Sequence, residues 1–184
     1  MLLKQYARAC RRVAATAFVT FILGACSSAS IEDYDGLSPK LDVFEFFQGD
    51  LLASGVVKNR SGKVVRHFNA DIKAFVEGEE LILDETFLFN DGEEDFRKWR
   101  IKRTGVDVYE GVANDVSGLA FGQAAGNALR WEYKLNLVTN GRTIEVDFDD
   151  WMFQTSDNII INISDIKKWG FKVGEVVLVI IKKD

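Results

Sequence analysis

Histidine, proline and cysteine are nearly absent from these 184 residues, which hold one histidine, one proline and two cysteines. With His67 alone, a histidine-rich metal site is excluded. No nucleophilic triad can be assembled either, because His67 falls on the polar face of its strand pattern. Cys10 and Cys26 both belong to the N-terminal segment, so the rest of the chain has no disulfide and no thiol chemistry. Long apolar runs are lacking too. Val13 to Leu23 holds eleven residues, roughly 16 Å of helix at about 1.5 Å per residue, against a hydrocarbon core of about 30 Å. It is too short to be a transmembrane anchor.

What stands there instead is an export signal. Lys4, Arg8, Arg11 and Arg12 form a basic region with no acidic residue, the apolar run follows, and Leu23-Gly24-Ala25-Cys26 has the form of a lipobox. The expectation is a lipoprotein signal peptide over residues 1–25, cleaved before an acylated Cys26. By resemblance to proteobacterial lipoproteins, Ser27 in place of Asp directs the protein to the outer membrane, facing the periplasm. One acyl chain holds weakly, whereas several, at about 0.8 kcal/mol per buried methylene, make release improbable. The membrane is therefore the first expected partner. Removing residues 1–25 takes away four basic side chains and no acidic one, leaving 19 against 28 and moving the net charge from −5 to −9. A nucleic-acid partner is excluded on that charge.

Residues 26–37 are small and acidic and read as a lipidated tether. The remaining residues, 38–184, form one domain. Ser38 is placed as N-cap and Pro39 as the first position of a short helix carrying Leu41, Phe44 and Phe47, ended by Gly49. Such a short apolar helix needs a partner and is expected to plug one end of the fold. Beyond it, turn residues recur at 59–62, 77–79, 90–92, 104–105, 114–115, 140–141 and 156–157, with no long helical pattern between them. Roughly nine strands in hairpin-after-hairpin order fit a barrel or a sandwich, and the order favours an all-β, up-and-down antiparallel barrel of lipocalin-like architecture.

Asn140-Gly141 suits a two-residue turn and so sets a register: Thr139 with Arg142, Leu137 with Ile144, Leu135 with Val146, Tyr133 with Phe148, Trp131 with Asp150, Leu129 with Met152. One face is then apolar on both strands, and Arg130, Glu132, Lys134, Glu145, Asp147 and Asp149 fall on the other. Asp150 is the exception, a carboxylate on the apolar face beside Trp131. The same parity makes Arg66, Glu85 and Arg97 intruders among apolar neighbours, and the turn at Asp91 sets Leu83 opposite Trp99 and Glu85 opposite Arg97. Buried charges need partners, so Glu85 is expected with Arg97 and Arg66 with Asp150. Two uses remain open: structural ion pairs, or an arginine that meets the head group of an amphiphile lying along the aromatics. The candidate ligand-binding residues are Arg66, Glu85, Arg97, Trp99, Trp131, Tyr133 and Asp150.

In residues 117–127, read as one strand, Gly118, Ala120, Gly122, Ala124 and Gly126 share a nearly bare face, which a ligand or another chain segment must approach. Near the C-terminus Ile159, Ile161 and Ile163 alternate, Ser164 to Gly170 reads as a helical turn, and Val176 to Ile181 is apolar on both faces. That last run is covered or faces lipid, and cover by the helix at 39–47 is the simpler expectation.

Leu83-x-Glu85-x-Phe87, Asp91-Gly92, Arg97-x-Trp99, Gly111-x-Ala113-x-Asp115-Val116, Gly126-Asn127-Ala128, Asp149-Asp150-Trp151-Met152 and Lys168-Trp169-Gly170 together resemble the bacterial lipoproteins gathered as domain-of-unknown-function family 3833, over roughly residues 40–183. The resemblance implies an outer-membrane lipoprotein, sometimes encoded near fatty-acid-modifying enzymes, and no mechanism. The chain departs from the pattern at Ile163, where arginine is usual after Asn162, and at Trp169, where phenylalanine is usual. The lipocalin signature Gly-x-Trp is missing, since Gly49-Asp50-Leu51 stands in its place. Three functions compete: an outer-membrane lipoprotein binding a lipid, fatty acid or other apolar ligand, a structural or interaction lipoprotein with a filled core, and an enzyme using Glu85 or Asp149-Asp150. Asp149 and Asp150 point to opposite faces of one strand, which weakens the third. No cofactor is expected.

Overall fold

In the computed structural model, which describes residues 29–139 and 141–183, Thr139 pairs with Arg142 and Leu129 with Met152, with each intervening pair in the register a two-residue turn requires. Ten strands follow one another: β1 (Gly49–Asn59), β2 (Val64–Glu77), β3 (Glu80–Phe89), β4 (Glu94–Gly105), β5 (Val108–Ala113), β6 (Ala120–Ala125), β7 (Ala128–Thr139), β8 (Arg142–Ser156), β9 (Ile159–Lys168) and β10 (Phe171–Lys182). Each pairs antiparallel with the next, and β1 closes on β10 from Leu51 with Lys182 to Asn59 with Gly174. Closure removes both free edges, so every strand has two hydrogen-bonded neighbours.

Ten strands replace the nine expected because the chain breaks once more, at Gly126, and one expected connection also differs in kind. Residues 117–127 are not one strand: β6 stops at Ala125, and Gly126, at φ 51°, turns the chain into β7. Ser164 to Gly170 is not a helical turn: β9 runs to Lys168, and Trp169 (φ 51°) with Gly170 (φ 79°) makes a hairpin turn. The turn expected at 104–105 falls two residues later, because β4 continues through Gly105 and Asp107 takes the positive φ of 55°.

The helix is shorter than expected and starts later. It is α1 (Val43–Phe47), capped by Asp42, whose Oδ1 accepts from the N–H groups of Phe44 at 2.9 Å and Glu45 at 3.1 Å. Ser38 is not the cap, and the Ser38-Pro39 peptide is cis. Val43, Phe46 and Phe47 are buried, so α1 does plug an end, the one where β1 begins and β2 finishes. Arg103 of β4 grips Asp42 at 2.9 Å and Lys182 of β10 donates to the Glu45 carbonyl at 2.7 Å, fastening the plug to the wall. Within the segment 26–37 expected as a tether, a 3-10 turn at Ile31–Tyr34 buries Ile31 and sets the Tyr34 ring 5.6 Å from Trp151 and 5.2 Å from Phe153. Residues 31–184 form one compact unit. Cys26 and the expected signal peptide, residues 1–25, lie outside the described residues.

The bare face of β6 receives a side chain. A Cβ on Gly122 would lie 2.2 Å from Trp131 Cε3, and one on Gly111 2.8 Å from Trp131 Cζ2, so the absence of side chains there makes room for the indole. Outward polar residues pair as alternation predicts, Asp149 with Arg130 at 2.8 Å and Lys167 at 2.7 Å. Alternation fails on one side of the wall. Ile161, Ile163, Ile181 and Leu52 point outward at 40–41% exposure, beside the outward Val177 and Val179. Because α1 turns its buried residues into the base of the barrel, it does not lie over that face, contrary to expectation.

Candidate ligand-binding cavity

The interior is hollow. A cavity of about 560 Å³ runs from α1 at the base towards the opposite end, where the turns at 90–93, 114–119 and 169–170 lie, and all seven candidate residues line it. Depth follows from register. Along β3 the inward residues run Phe89, Phe87, Glu85, Leu83 from mouth to base; along β4, Asp95, Arg97, Trp99, Ile101; along β7, Leu137, Leu135, Tyr133, Trp131. Glu85 and Arg97 are Cα partners, as are Trp131 and Asp150. A polar belt of Glu85, Arg97, Tyr133 and Asp150 therefore crosses the middle of the cavity, between a phenylalanine collar and a floor of Trp99, Trp131 and Phe47.

Aromatic edges fix the floor. Trp99 meets Trp131 at 5.5 Å and 77°, and Tyr133 at 5.3 Å and 81°, while Tyr133 stacks on Phe148 at 5.1 Å. Such contacts add about 0.5–1.5 kcal/mol each to burial and hold the rings in one arrangement.

The ion pairs differ from those expected. Arg97 makes no ion pair with Glu85 among the described residues; it clasps Asp115, Nε donating at 2.9 Å and Nη2 at 2.7 Å to Oδ2. Asp115 follows β5, and its segment is pinned to β7 by Asn136 N–H donating to the Asp115 carbonyl at 2.8 Å and Ser117 N–H to that of Lys134 at 2.8 Å. Arg66 does not reach Asp150. It lies at the rim, 3.6 Å over the Phe89 ring, paired with Asp91 at 2.8 Å and Glu93 at 2.6 Å. Asp150 is 6% exposed and takes one hydrogen bond, from Tyr133 Oη to Oδ2 at 3.2 Å, while Oδ1 has no partner among the described residues.

Burial and charge set the protonation of the belt. Desolvation pushes Glu85 up to about 7 against the pull of Arg97, with Asp115 and Asp150 adding to the rise. Desolvation also pushes Asp150 up to about 7, opposed by Ser164, Tyr133 and Arg97. Burial opposes the charge of Arg97, but Tyr133, Asp115 and Glu85 outweigh it and raise its pKa above the ordinary value. Tyr133, raised by burial and by Asp150, stays a neutral donor.

Sequence reasoning missed six polar residues that line the cavity, Glu93, Asp95 and Asn136 towards the mouth and Asp115, Asn162 and Ser164. Asp115 sits in a turn, outside any alternation. Asn162 (3% exposed) and Ser164 (2%) lie on the inward parity of β9 with Ile160 and Ile166, whereas the more apolar parity, Ile159, Ile161 and Ile163, faces out. Ile163, where the resemblance led to an expected arginine, is thus an outer-wall position and does not line the cavity.

No curated protein matches the chain. Among solved structures it is similar to the S-type phycobiliprotein lyase CPES from Guillardia theta, at 8% identity over 77% of this chain and 90% of that one, with a TM-score of 0.55. That likeness places the fold with lipocalin-like barrels. A family model described as Protein of unknown function (DUF3833) matches residues 20–182, and the chain belongs to that family.

Proposed function

We propose that this protein is a lipid-anchored carrier of the cell envelope that holds an amphiphilic, lipid-like molecule in its barrel. The observation that carries this is the hollow interior, whose volume of about 560 Å³ falls within the roughly 300–1,000 Å³ of small-molecule sites. A small barrel serving only as scaffold fills its interior with side chains. The aromatic collar and floor suit a body apolar over most of its length, and the polar belt between them suits one polar group. The lyase to which it is similar supports the barrel at 8% identity and no particular reaction.

Leu23-Gly24-Ala25-Cys26 supports the anchor, with Cys26 five residues before Ile31, at most about 18 Å of extended chain. The outer apolar side of β8, β9, β10 and β1 supports a second contact. It is continuous with Trp151 and Phe153, on which Tyr34 rests, so it begins beside the point where the tether enters the fold. We assign it to the surface of the membrane that holds Cys26.

Native mass spectrometry of the chain from Ser27 onward, which carries the whole compact unit, tests the carrier role. Expressed in its own host's envelope and released without detergent, it is expected to carry a mass of a few hundred daltons that is lost in Trp131→Ala. A chain that emerges bare and takes up no amphiphile overturns the proposal. Cys26→Ser moving the protein from the membrane to the soluble fraction tests the anchor.

A further inference from the structure

The belt also specifies which polar group the ligand carries. We propose that it is a cation, a protonated amine or other positively charged nitrogen at one end of an apolar body, seated between Glu85 and Asp150. This rests on the carrier role proposed above and goes beyond it by naming the head group.

Charge counting along the wall points first. The cavity is lined by Arg66 and Arg97 against Glu85, Glu93, Asp95, Asp115 and Asp150. Both arginines are engaged. Arg97 is clasped by Asp115 through Nε and Nη2, and Arg66 is held at the rim by Asp91 and Glu93. An anionic head would have to break one of these pairs and lie against the remaining carboxylates. A cation breaks nothing. Two carboxyls of the belt make no close ion pair among the described residues and feel only the field of the Arg97 already clasped by Asp115: Glu85, whose Cα partner is Arg97, and Asp150, nine-tenths buried with Oδ1 unpartnered. Leaving a buried oxygen unpaired is costly, and an N–H donor entering the cavity from the mouth relieves it.

Protonation then makes the preference depend on pH. Glu85 faces Arg97, Asp115 and Asp150; Asp150 faces Tyr133, Ser164 and Arg97, with Asp149 behind it on the outer face, where Arg130 and Lys167 neutralise it. Both carboxyls are pushed up to about 7 because desolvation outweighs the pull of Arg97, which is committed to Asp115. A cation supplies a counter-charge, so its binding releases protons, and its affinity rises with pH by up to tenfold per unit for each proton released, levelling off above about pH 8.

The experiment compares dodecylamine, dodecanol and dodecanoate, equal in apolar length, by calorimetric titration of the chain from Ser27 onward at about pH 6 and pH 8. The expected result is amine over dodecanoate by at least tenfold at pH 8, a smaller margin at pH 6, and alcohol affinity unchanged between the two. In Glu85→Gln/Asp150→Asn, the preference and the pH dependence vanish while the alcohol still binds. If the double variant fails to fold, Asp150→Asn alone and the pH dependence of the unaltered chain carry the same readout. Dodecanoate binding as tightly as the amine at pH 8 overturns the cation assignment and leaves the carrier standing. If none of the three binds, the carrier itself is overturned.

Discussion

Tyr133 donates a hydrogen bond to Asp150, and Asp115 gives Arg97 its close ion pair among the described residues, so these two side chains do much to decide whether the polar belt is tolerable. The Arg97 and Asp115 side chains are 18% and 21% exposed. Removing one partner of such a pair leaves an uncompensated charge, at a cost of about 3–5 kcal/mol. Asp115→Asn is expected near the low end, because the amide still accepts a hydrogen bond, and adding Arg97→Met should recover most of the loss. A double-mutant cycle in urea measures both. The carboxyls raised to about 7 act differently. Folded, Glu85 and Asp150 hold their protons up to about pH 7; unfolded, they release them near pH 4. Between those limits the folded chain binds more protons than the unfolded one, so stability falls as pH rises. Asp42, Asp149 and Glu175, lowered by their partners, lose stability in the opposite direction below about pH 4. The urea midpoint should peak near pH 5 and decline towards pH 8, and Glu85→Gln/Asp150→Asn should flatten the decline. A midpoint still rising at pH 8 in the unaltered chain would mean that these carboxyls ionise freely.

β6 and α1 are the elements whose place depends on what touches them. β6 is six residues long and nearly bare inside because Trp131 occupies the space beside Gly122. At its end a Cβ on Gly126 would sit 1.9 Å from the Tyr34 carbonyl, at a φ of 51°. Gly126→Ala therefore forces backbone apart in a conformation that L residues avoid, and should cost more than about 2 kcal/mol. Gly122→Ala meets a movable side chain and should cost about 1–3 kcal/mol by overpacking, while displacing Trp131 into the cavity. Thermal melts separate the two variants, and indole fluorescence should change in Gly122→Ala. For α1, apolar spacing revealed a helix near Leu41 to Phe47 but not its start. Asp42 caps it because Arg103, sixty-one residues away in the chain, steadies the same carboxylate.

Taken whole, the barrel is closed and hollow, with an apolar band on one outer side. Closure protects it from edge-to-edge pairing, but the band leaves Ile161, Ile163 and Ile181 about 40% exposed, where a monomer in water would favour polar residues. Ile163→Ser/Ile181→Ser should cost roughly 2–4 kcal/mol, since these side chains are only two-fifths in water, and a urea midpoint shows that the barrel remains folded. Co-sedimentation of the chain from Ser27 onward with phospholipid vesicles should fall several-fold. Unchanged sedimentation would sink the membrane assignment of that face.

Alternation and turn chemistry were enough to determine the barrel class, the Asn140-Gly141 and Asp91 registers and the inward position of Arg66, Glu85, Arg97 and Asp150, because period-two patterning and two-residue turns are local properties of the chain. The family was legible separately, from the resemblance carried by short strings such as Asp149-Asp150-Trp151-Met152. Who pairs with whom was not. Arg97 chose Asp115 over Glu85 and Arg66 chose the rim over Asp150, because ion pairs depend on where the 114–119 segment crosses the mouth and on how far a guanidinium reaches, neither of which alternation encodes. On β9 hydrophobicity pointed the wrong way, since the stronger apolar parity faces outward and Asn162 and Ser164 face in. The cavity itself belongs wholly to the tertiary structure: whether side chains fill a barrel or leave about 560 Å³ open depends on ring orientations and on where α1 stops, and those are set only when all ten strands have closed around them.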